Sequence, residues 1–298
     1  MIRFLIFIQL IKFSFESVAF GNQYNEQCGR AYASNKDTNR PYPWIVSITC
    51  NYKAADGSIT KLGHMCGGTI ISSKHVLTAA HCLKLPNSYI DKNYVLNSLN
   101  PTLEKTLKVA HETSESNSEY KYYSIKKIYF HESYDNKTLL NDLALIEIEN
   151  EFQINSYVQP ICLPDQEVHG YPYVDSDCYL IAWNNKNEYL KSSIQRIEMS
   201  VVNEDYCSKY GDQELQICGK ALITKSVCRG DSGGPLVTQS RYCDNSYNQC
   251  NVLAGITSYV LGKSSNKYEC NSLYPTFFTR VSAYVSWIKL YMFNAYND

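Results

Sequence analysis

Short runs of β-branched, aromatic and aliphatic residues, bounded by turn formers, recur along most of the chain and constrain its fold more than any other feature. Examples are Trp44–Cys50, Thr69–Ile71, Val76–Ala79, Leu143–Ile148, Tyr179–Trp183, Leu236–Thr238, Val252–Tyr259 and Thr276–Val281. Strands spaced in this way, without intervening helical periods, predict an all-β chain folded as an antiparallel sandwich or barrel. Leu143–Ile148 (LALIEI) is almost continuously apolar, as expected of a strand covered on both faces. One segment departs from the pattern: Ser282–Phe293 has helical spacing, with Val281, Val285, Ile288 and Met292 on one face. The polar stretch between Leu83 and Tyr123 reads as surface loops, although Val95, Leu103 and Val109 interrupt it. A chain of 298 residues is long enough for one large β domain or two small ones.

The N-terminus reads as a secretory signal over residues 1–19. Arg3 supplies the positive end, Phe4–Ile11 the apolar run, and Ser17-Val18-Ala19 the small residues near a cleavage point. Lys12 and Glu16 make the apolar run too short to cross a bilayer, so no membrane attachment is expected and the protein should be extracellular. Twelve cysteines without a CxxC pair fit a disulfide framework in an oxidising compartment and argue against zinc. A net charge of −1 offers no field for nucleic acid. Asn136-Lys137-Thr138 is the only sequon whose middle residue is not proline.

The chemistry begins at Gly230-Asp231-Ser232-Gly233-Gly234-Pro235. Glycines around a serine let the backbone turn sharply, exposing the hydroxyl and gathering N–H groups near it. A lone Gly/Ser motif is often only a turn, so the partners decide. No histidine follows His169, which excludes the order Ser, acid, His. The order Asp, His, Ser would rest on Asp37 or Asp56, neither in a strand context. The order His, Asp, Ser is met by His81, in Thr78-Ala79-Ala80-His81-Cys82, and by Asp142, which precedes the buried strand. Cys82 and Cys66 flank His81 closely enough to staple its loop, and a general base must be held still. A buried carboxylate needs a partner, and the His81 ring N–H is the natural one. His64, His75, His111, His131 and His169 read as ordinary surface or core histidines.

The motifs TAAHC, NDLALI and GDSGGP, in this order, closely resemble the chymotrypsin/trypsin family of serine proteases, from about Cys28 to Trp287. The resemblance implies two six-stranded antiparallel β-barrels, followed by the C-terminal α-helix. It implies a Ser232 nucleophile, a His81 base, an Asp142 orienting acid, and an oxyanion hole from the N–H groups of Gly230 and Ser232. It places the cut of a short propeptide, residues 20–30, after Arg30. The new terminus at Ala31 would pair with Asp231, leaving a protease domain over 31–298. It implies the disulfides Cys28–Cys162, Cys66–Cys82, Cys207–Cys218 and Cys228–Cys270, and leaves Cys50, Cys178, Cys243 and Cys250 unassigned. The pocket before the scissile bond would be floored by Ser226 and Val227 and walled by Val260 and Thr276, as in elastase-like members. Such a pocket takes small aliphatic residues.

The chain departs from the family pattern in three places. Ala31 stands where Ile is usual, Thr238 where Cys178 would find its partner, and Ala182-Trp183-Asn184 where Gly-Trp-Gly is common. The expected partners are protein or peptide substrates, an activating protease and protein inhibitors; the chain is expected to be monomeric, with no metal or other cofactor. The alternative is a non-catalytic homologue serving as a binding or regulatory protein. Such homologues usually lack a triad residue, and here all three are present.

Overall fold

The computed structural model describes residues 28–30, 42–53, 59–84, 107–112, 120–155, 157–164, 171–183, 194–203, 205–222, 227–228, 230–240, 250–261 and 274–294. Twelve strands close into two barrels. The first contains β1 (Ile45–Lys53), β2 (Ile59–Ile70), β3 (His75–Thr78), β4 (Leu107–Glu112), β5 (Tyr120–Phe130) and β6 (Ala144–Ile148). The second contains β7 (Asp177–Trp183), β8 (Ile194–Val201), β9 (Gln216–Ala221), β10 (Pro235–Ser240), β11 (Cys250–Val260) and β12 (Thr276–Arg280). Their closed orders are β1-β2-β3-β6-β5-β4 and β7-β8-β9-β12-β11-β10, so the second barrel repeats the topology of the first. Closure leaves no free sheet edge. The expected two six-stranded barrels are present, and the barrel replaces the sandwich among the sequence alternatives.

Strand alternation explains the near-continuous apolar runs. In β7, Cys178, Leu180 and Ala182 pack inside the second barrel, while Tyr179 and Ile181 join the cluster that extends into the first. Both strand faces are buried because one lines a barrel and the other meets the neighbouring barrel. After β12 come a 3-10 turn, Val281–Tyr284, and a helix, Val285–Asn294. The predicted face of Val281, Val285, Ile288 and Met292 is buried. Among the described residues, two short helices, α1 (Ala80–Leu83) and α2 (Asp205–Tyr210), precede this helix, α3.

The loop reading of Leu83–Tyr123 needs correction. Leu107–Glu112 is a strand, with Val109 buried and paired to Ile48 of β1, and β5 begins at Tyr120. Val95 and Leu103 lie outside the described residues. The sequence reading also passed over β8, whose Ile197, Met199 and Val201 are buried while Arg196 is exposed.

Three expected disulfides are formed: Cys28–Cys162, Cys66–Cys82 and Cys207–Cys218. Cys228 and Cys250 are also disulfide-bonded; Cys243 and Cys270 lie outside the described residues, as does the Cys50 side chain. Cys178 is free and buried, and burial pushes its thiol up to about 12. The pairing of Leu236 with Leu180 and Val237 with Tyr179 places Thr238 at the position opposite it.

Candidate active site

β3 and β6 pair antiparallel, Thr78 opposite Ala144, so the residues after Thr78 and before Ala144 emerge at one barrel end. His81 and Asp142 stand there. The His81 Nδ1 lies 2.7 Å from Asp142 Oδ2, and the His81 backbone N–H donates to Oδ1 at 2.9 Å. Ser258 Oγ donates to Oδ2 at 2.5 Å, and Thr279 Oγ1 donates to the Asp142 carbonyl at 2.8 Å. Asp142 is 0% exposed, and the His81 and Ser258 donors on its carboxylate compensate the loss of water around its charge. Because the carboxylate only accepts, Nδ1 carries the imidazole proton, which leaves Nε2 with a lone pair. The Cys66–Cys82 disulfide ties β2 to α1 and holds the histidine's segment in place. Cys66, His81 and Cys82 cluster as metal ligands do, but the two sulfurs are bonded to each other and offer no thiolate.

The Ser232 turn is built by glycines in conformations that side chains rarely adopt, with φ of 100° at Gly230 and 78° at Gly233. A Cβ on Gly233 would lie 2.3 Å from Thr78 Oγ1 and 2.4 Å from the Gly67 carbonyl. The turn is therefore pressed against the strand end that leads to His81. Gly67 N–H donates to the Ser232 carbonyl at 2.8 Å, and Gly233 N–H donates to the Thr257 carbonyl at 2.8 Å. Both barrels thus fix the serine's backbone. Among the described residues, no backbone acceptor takes the N–H of Gly230 or Ser232.

His64, expected to be an ordinary surface or core histidine, has specific partners on both ring nitrogens. Its Nε2 lies 2.8 Å from the Gly230 carbonyl and its Nδ1 2.7 Å from Ser47 Oγ. A carbonyl only accepts, so Nε2 carries the proton and Nδ1 accepts from the serine hydroxyl. This chain of bonds holds the Gly230 peptide from the first barrel. Burial pushes the His64 pKa down to about 4, with the Gly230 carbonyl opposing the shift. No local motif could have revealed this, because the partner lies 166 residues away. His75 is buried, bonded through Nδ1 to Ser72 Oγ at 2.8 Å, and stands outside the site. His131 packs against Tyr284 and Trp287; His169 and the His111 side chain lie outside the described residues.

Of the residues expected to line the pocket, Val260 and Thr276 are direct cross-strand partners in β11 and β12, so their side chains share a face. Val260 packs on the cluster that contains buried Val227. Tyr259, beside Val260, stacks on Phe277 at 4.7 Å between ring centroids. Ser226, the expected floor, lies outside the described residues. Asp231 is 0% exposed, and its Oδ2 accepts the Cys228 N–H at 2.7 Å. Ahead of the expected cut, Gly29 donates to the Pro160 carbonyl, and its own carbonyl accepts from Asn251 N–H at 3.0 Å and Nδ2 at 2.8 Å. Arg30 follows, half-buried; Ala31 lies outside the described residues. Asn136 is exposed in a turn whose Asp135 binds the Lys137 N–H and the Thr138 hydroxyl.

Comparison with known proteins agrees with this geometry. The Trypsin family model matches residues 32–288. Chymotrypsin-C of Mus musculus is 31% identical over 263 residues, covering 83% of this chain and 83% of the relative. Chymotrypsin-like elastase family member 1 of Macaca fascicularis is 29% identical over 301 residues, covering 97% and 98%. Granzyme B of Rattus norvegicus is 31% identical, covering 85% and 87%. With two barrels of one topology, a histidine–aspartate pair beside a glycine-framed serine, and a family match along most of its length, this chain belongs to the trypsin family of serine endopeptidases.

Proposed function

We propose that the protein is a secreted endopeptidase that cleaves peptide bonds through Ser232, His81 and Asp142 and prefers a small aliphatic residue before the scissile bond. The observation that carries the reading is the buried Asp142 carboxylate, which is bonded to His81 and Ser258 beside the Ser232 turn. His81 Nε2 takes the Ser232 proton as the hydroxyl attacks the carbonyl carbon, and imidazolium forms against Asp142. The N–H groups of Gly230 and Ser232 receive the oxyanion. His81 then protonates the leaving amine, and a water activated by the same nitrogen hydrolyses the acyl-enzyme. No step calls for a metal or cofactor.

Specificity rests on Val260 and Thr276, two β-branched residues facing one another where a wide pocket needs glycine. Val227 and the uncharged Ser226 add to a short, neutral cavity.

Activation by a second protease after Arg30 is supported by the buried Asp231, a fitting partner for a new ammonium at Ala31. The bonds of Gly29 and the Cys28–Cys162 disulfide would keep the propeptide attached. The disulfides and the apolar leader of residues 1–19 support secretion; no helix among the described residues is long and apolar enough to cross a membrane. The exposed Asn136 is the glycan site we assign. Fluorophosphonate labelling before and after trypsin treatment tests the catalytic reading: label should appear on processing and vanish in Ser232→Ala. Label that survives that substitution would exclude it. Peptide-library profiling tests the pocket, where dominant cleavage after Arg, Lys or Phe would refute the aliphatic preference.

A further inference from the structure

Asn136 precedes Asp142 by six residues, in a turn closed by its own hydrogen bonds. The Asp135 N–H donates to the Leu140 carbonyl at 3.1 Å, and the Leu139 N–H donates to the Asp135 carbonyl at 2.8 Å. The Asp135 carboxylate accepts from the Lys137 N–H and the Thr138 hydroxyl, each at 2.9 Å. At the base, Asn141 Nδ2 donates to the Ser133 carbonyl at 2.8 Å. Leu139 and Asn141 take φ of 56° and 55°, a region that side chains rarely adopt, and the surrounding bonds hold them there. Asn136 is exposed at the tip of this turn, and its side chain makes no hydrogen bond among the described residues.

The turn also reaches the second barrel. Gln216 Nε2, from β9, donates to the Leu139 carbonyl at 3.3 Å. Gln216 pairs across the sheet with Thr279, whose hydroxyl binds the Asp142 carbonyl. From the 3-10 turn before α3, the Tyr284 hydroxyl donates to Asn141 Oδ1 at 2.9 Å. The segment that carries Asn136 therefore crosses between the barrels beside Asp142 and forms one rim of the cleft. A group fixed to Asn136 stands on that rim.

We infer that an N-linked glycan on Asn136 is a size filter for the cleft: it admits short or unfolded chains and hinders folded substrates and folded protein inhibitors. This rests on the catalytic reading and on the assignment of the glycan to Asn136. Attachment joins Asn136 Nδ2 to the anomeric carbon of an oligosaccharide carried on a lipid diphosphate; the diphosphate leaves, and Nδ2 gives up one proton. The product is bulky and hydrated, and the turn holds its root in one place. A folded inhibitor covers about 800 Å² of a protease, too broad a footprint to avoid the rim. An extended tetrapeptide is only about 13–14 Å long and can lie along the floor beneath the sugar. Exclusion acts on the encounter, so it slows association by about ten-fold within the usual range of 10⁵–10⁷ M⁻¹s⁻¹.

The test uses the processed enzyme secreted from a glycosylating host. Peptide mapping by mass spectrometry first reads whether Asn136 carries sugar. Association of a Kunitz-type inhibitor, with Val before its reactive bond, is then compared with cleavage of a tetrapeptide ending in Ala. Asn136→Gln should speed association about ten-fold and leave tetrapeptide kcat/KM within about two-fold of the wild type. Enzymatic removal of the glycan from the wild type should give the same gain without altering the fold during synthesis. Thr138→Ser keeps both the sequon and the hydroxyl bonded to Asp135, and should match the wild type. Equal association rates with and without an occupied Asn136 would overturn the filter, as would an equal gain for inhibitor and tetrapeptide. Fluorophosphonate labelling separates the failures. Labelled protein that carries no sugar at Asn136 removes the glycan assignment and the filter, whereas protein that neither labels nor cleaves removes the catalytic reading and the filter with it.

Discussion

In the first barrel, the chain leaves β3 and enters β6 at one end, and there it presents His81 and Asp142. In the second barrel, β9 and β12 hold the equivalent places and pair in the same way, Gly219 opposite Thr276. The chain leaves β9 toward Val227 and the Ser232 turn and enters β12 at Thr276. One topology therefore delivers two kinds of surface from the same end. The first barrel supplies a charged, hydrogen-bonded pair whose carboxylate is buried. The second supplies the facing β-branched pair Val260 and Thr276 and a backbone turn in which, among the described residues, no backbone acceptor takes the N–H of Gly230 or Ser232. Proton handling needs a fixed pair in a polar network, while recognition of a side chain needs shape, so the division follows the chemistry. Neither barrel is sufficient, because Gly67 of the first binds the Ser232 carbonyl and Ser258 and Thr279 of the second bind Asp142.

The strongest way to break this comparison is to remove one contribution from each barrel. Ser232→Ala and His81→Ala should each lower kcat on the order of 10⁵–10⁶-fold, and the double variant should be no worse than the weaker single. Additive losses in steady-state kinetics would mean that the two barrels do not act as one unit. A smaller effect is expected at the second barrel's walls. Val260→Gly combined with Thr276→Gly should shift cleavage from Ala and Val toward Phe or Leu by roughly 10–200-fold in relative kcat/KM. An unchanged library profile would assign the selectivity to other residues.

The legible part of this molecule is the part written in short range. TAAHC, NDLALI and GDSGGP each hold one residue of the proposed triad among neighbours that set its local backbone, so the order of motifs was enough to pair His81 with Asp142. The apolar runs of β6, β7 and β11 were legible because their strands are buried on both faces. β8 was not, since Arg196, Glu198 and Ser200 alternate with the buried Ile197, Met199 and Val201 and break up the apolar run, and in β4 Lys108 and Glu112 interrupt the sequence in the same way. Long-range polar partners were equally hidden. Nothing near His64 distinguishes it from His75, and only the closing of one barrel on the other brings it to Gly230. The free state of Cys178 could be suspected from Thr238 but needed the strand register to be seen.

His64 offers a sharper test of how one barrel serves the other. His64→Ala removes the donor to the Gly230 carbonyl and frees the peptide next to the oxyanion site. The expected loss is about 10–100-fold in kcat with KM nearly constant, less than deleting an oxyanion donor outright. Equal rises in KM and losses in kcat would instead point to a collapsed cleft.

The smallest effect concerns acid, and it too divides the barrels. Two histidines, half-buried His64 and buried His75, belong to the first barrel, and desolvation lowers each to about 4 from an ordinary 6.5. Around His75, Glu147 favours the protonated ring while Lys74 and Lys126 oppose it; Glu147 is itself bonded by Lys126 at 2.7 Å. Between pH 6.5 and 4 the unfolded chain binds protons at both histidines and the folded chain does not. Stability from these sites is therefore full above pH 6.5 and falls as pH drops through that window, by up to about 1.4 kcal/mol per pH unit for each histidine. His75→Gln keeps a polar group near Ser72 but cannot take up a proton, so its melting temperature should decline less steeply between pH 6.5 and 4 than that of the wild type. Catalytic rates at neutral pH leave this contribution unread, because His75 is remote from the cleft; thermal melts across the window measure it directly. Parallel wild-type and His75→Gln curves would show that the ring is protonated without penalty, and the acid sensitivity would then rest on His64 at the contact between the barrels.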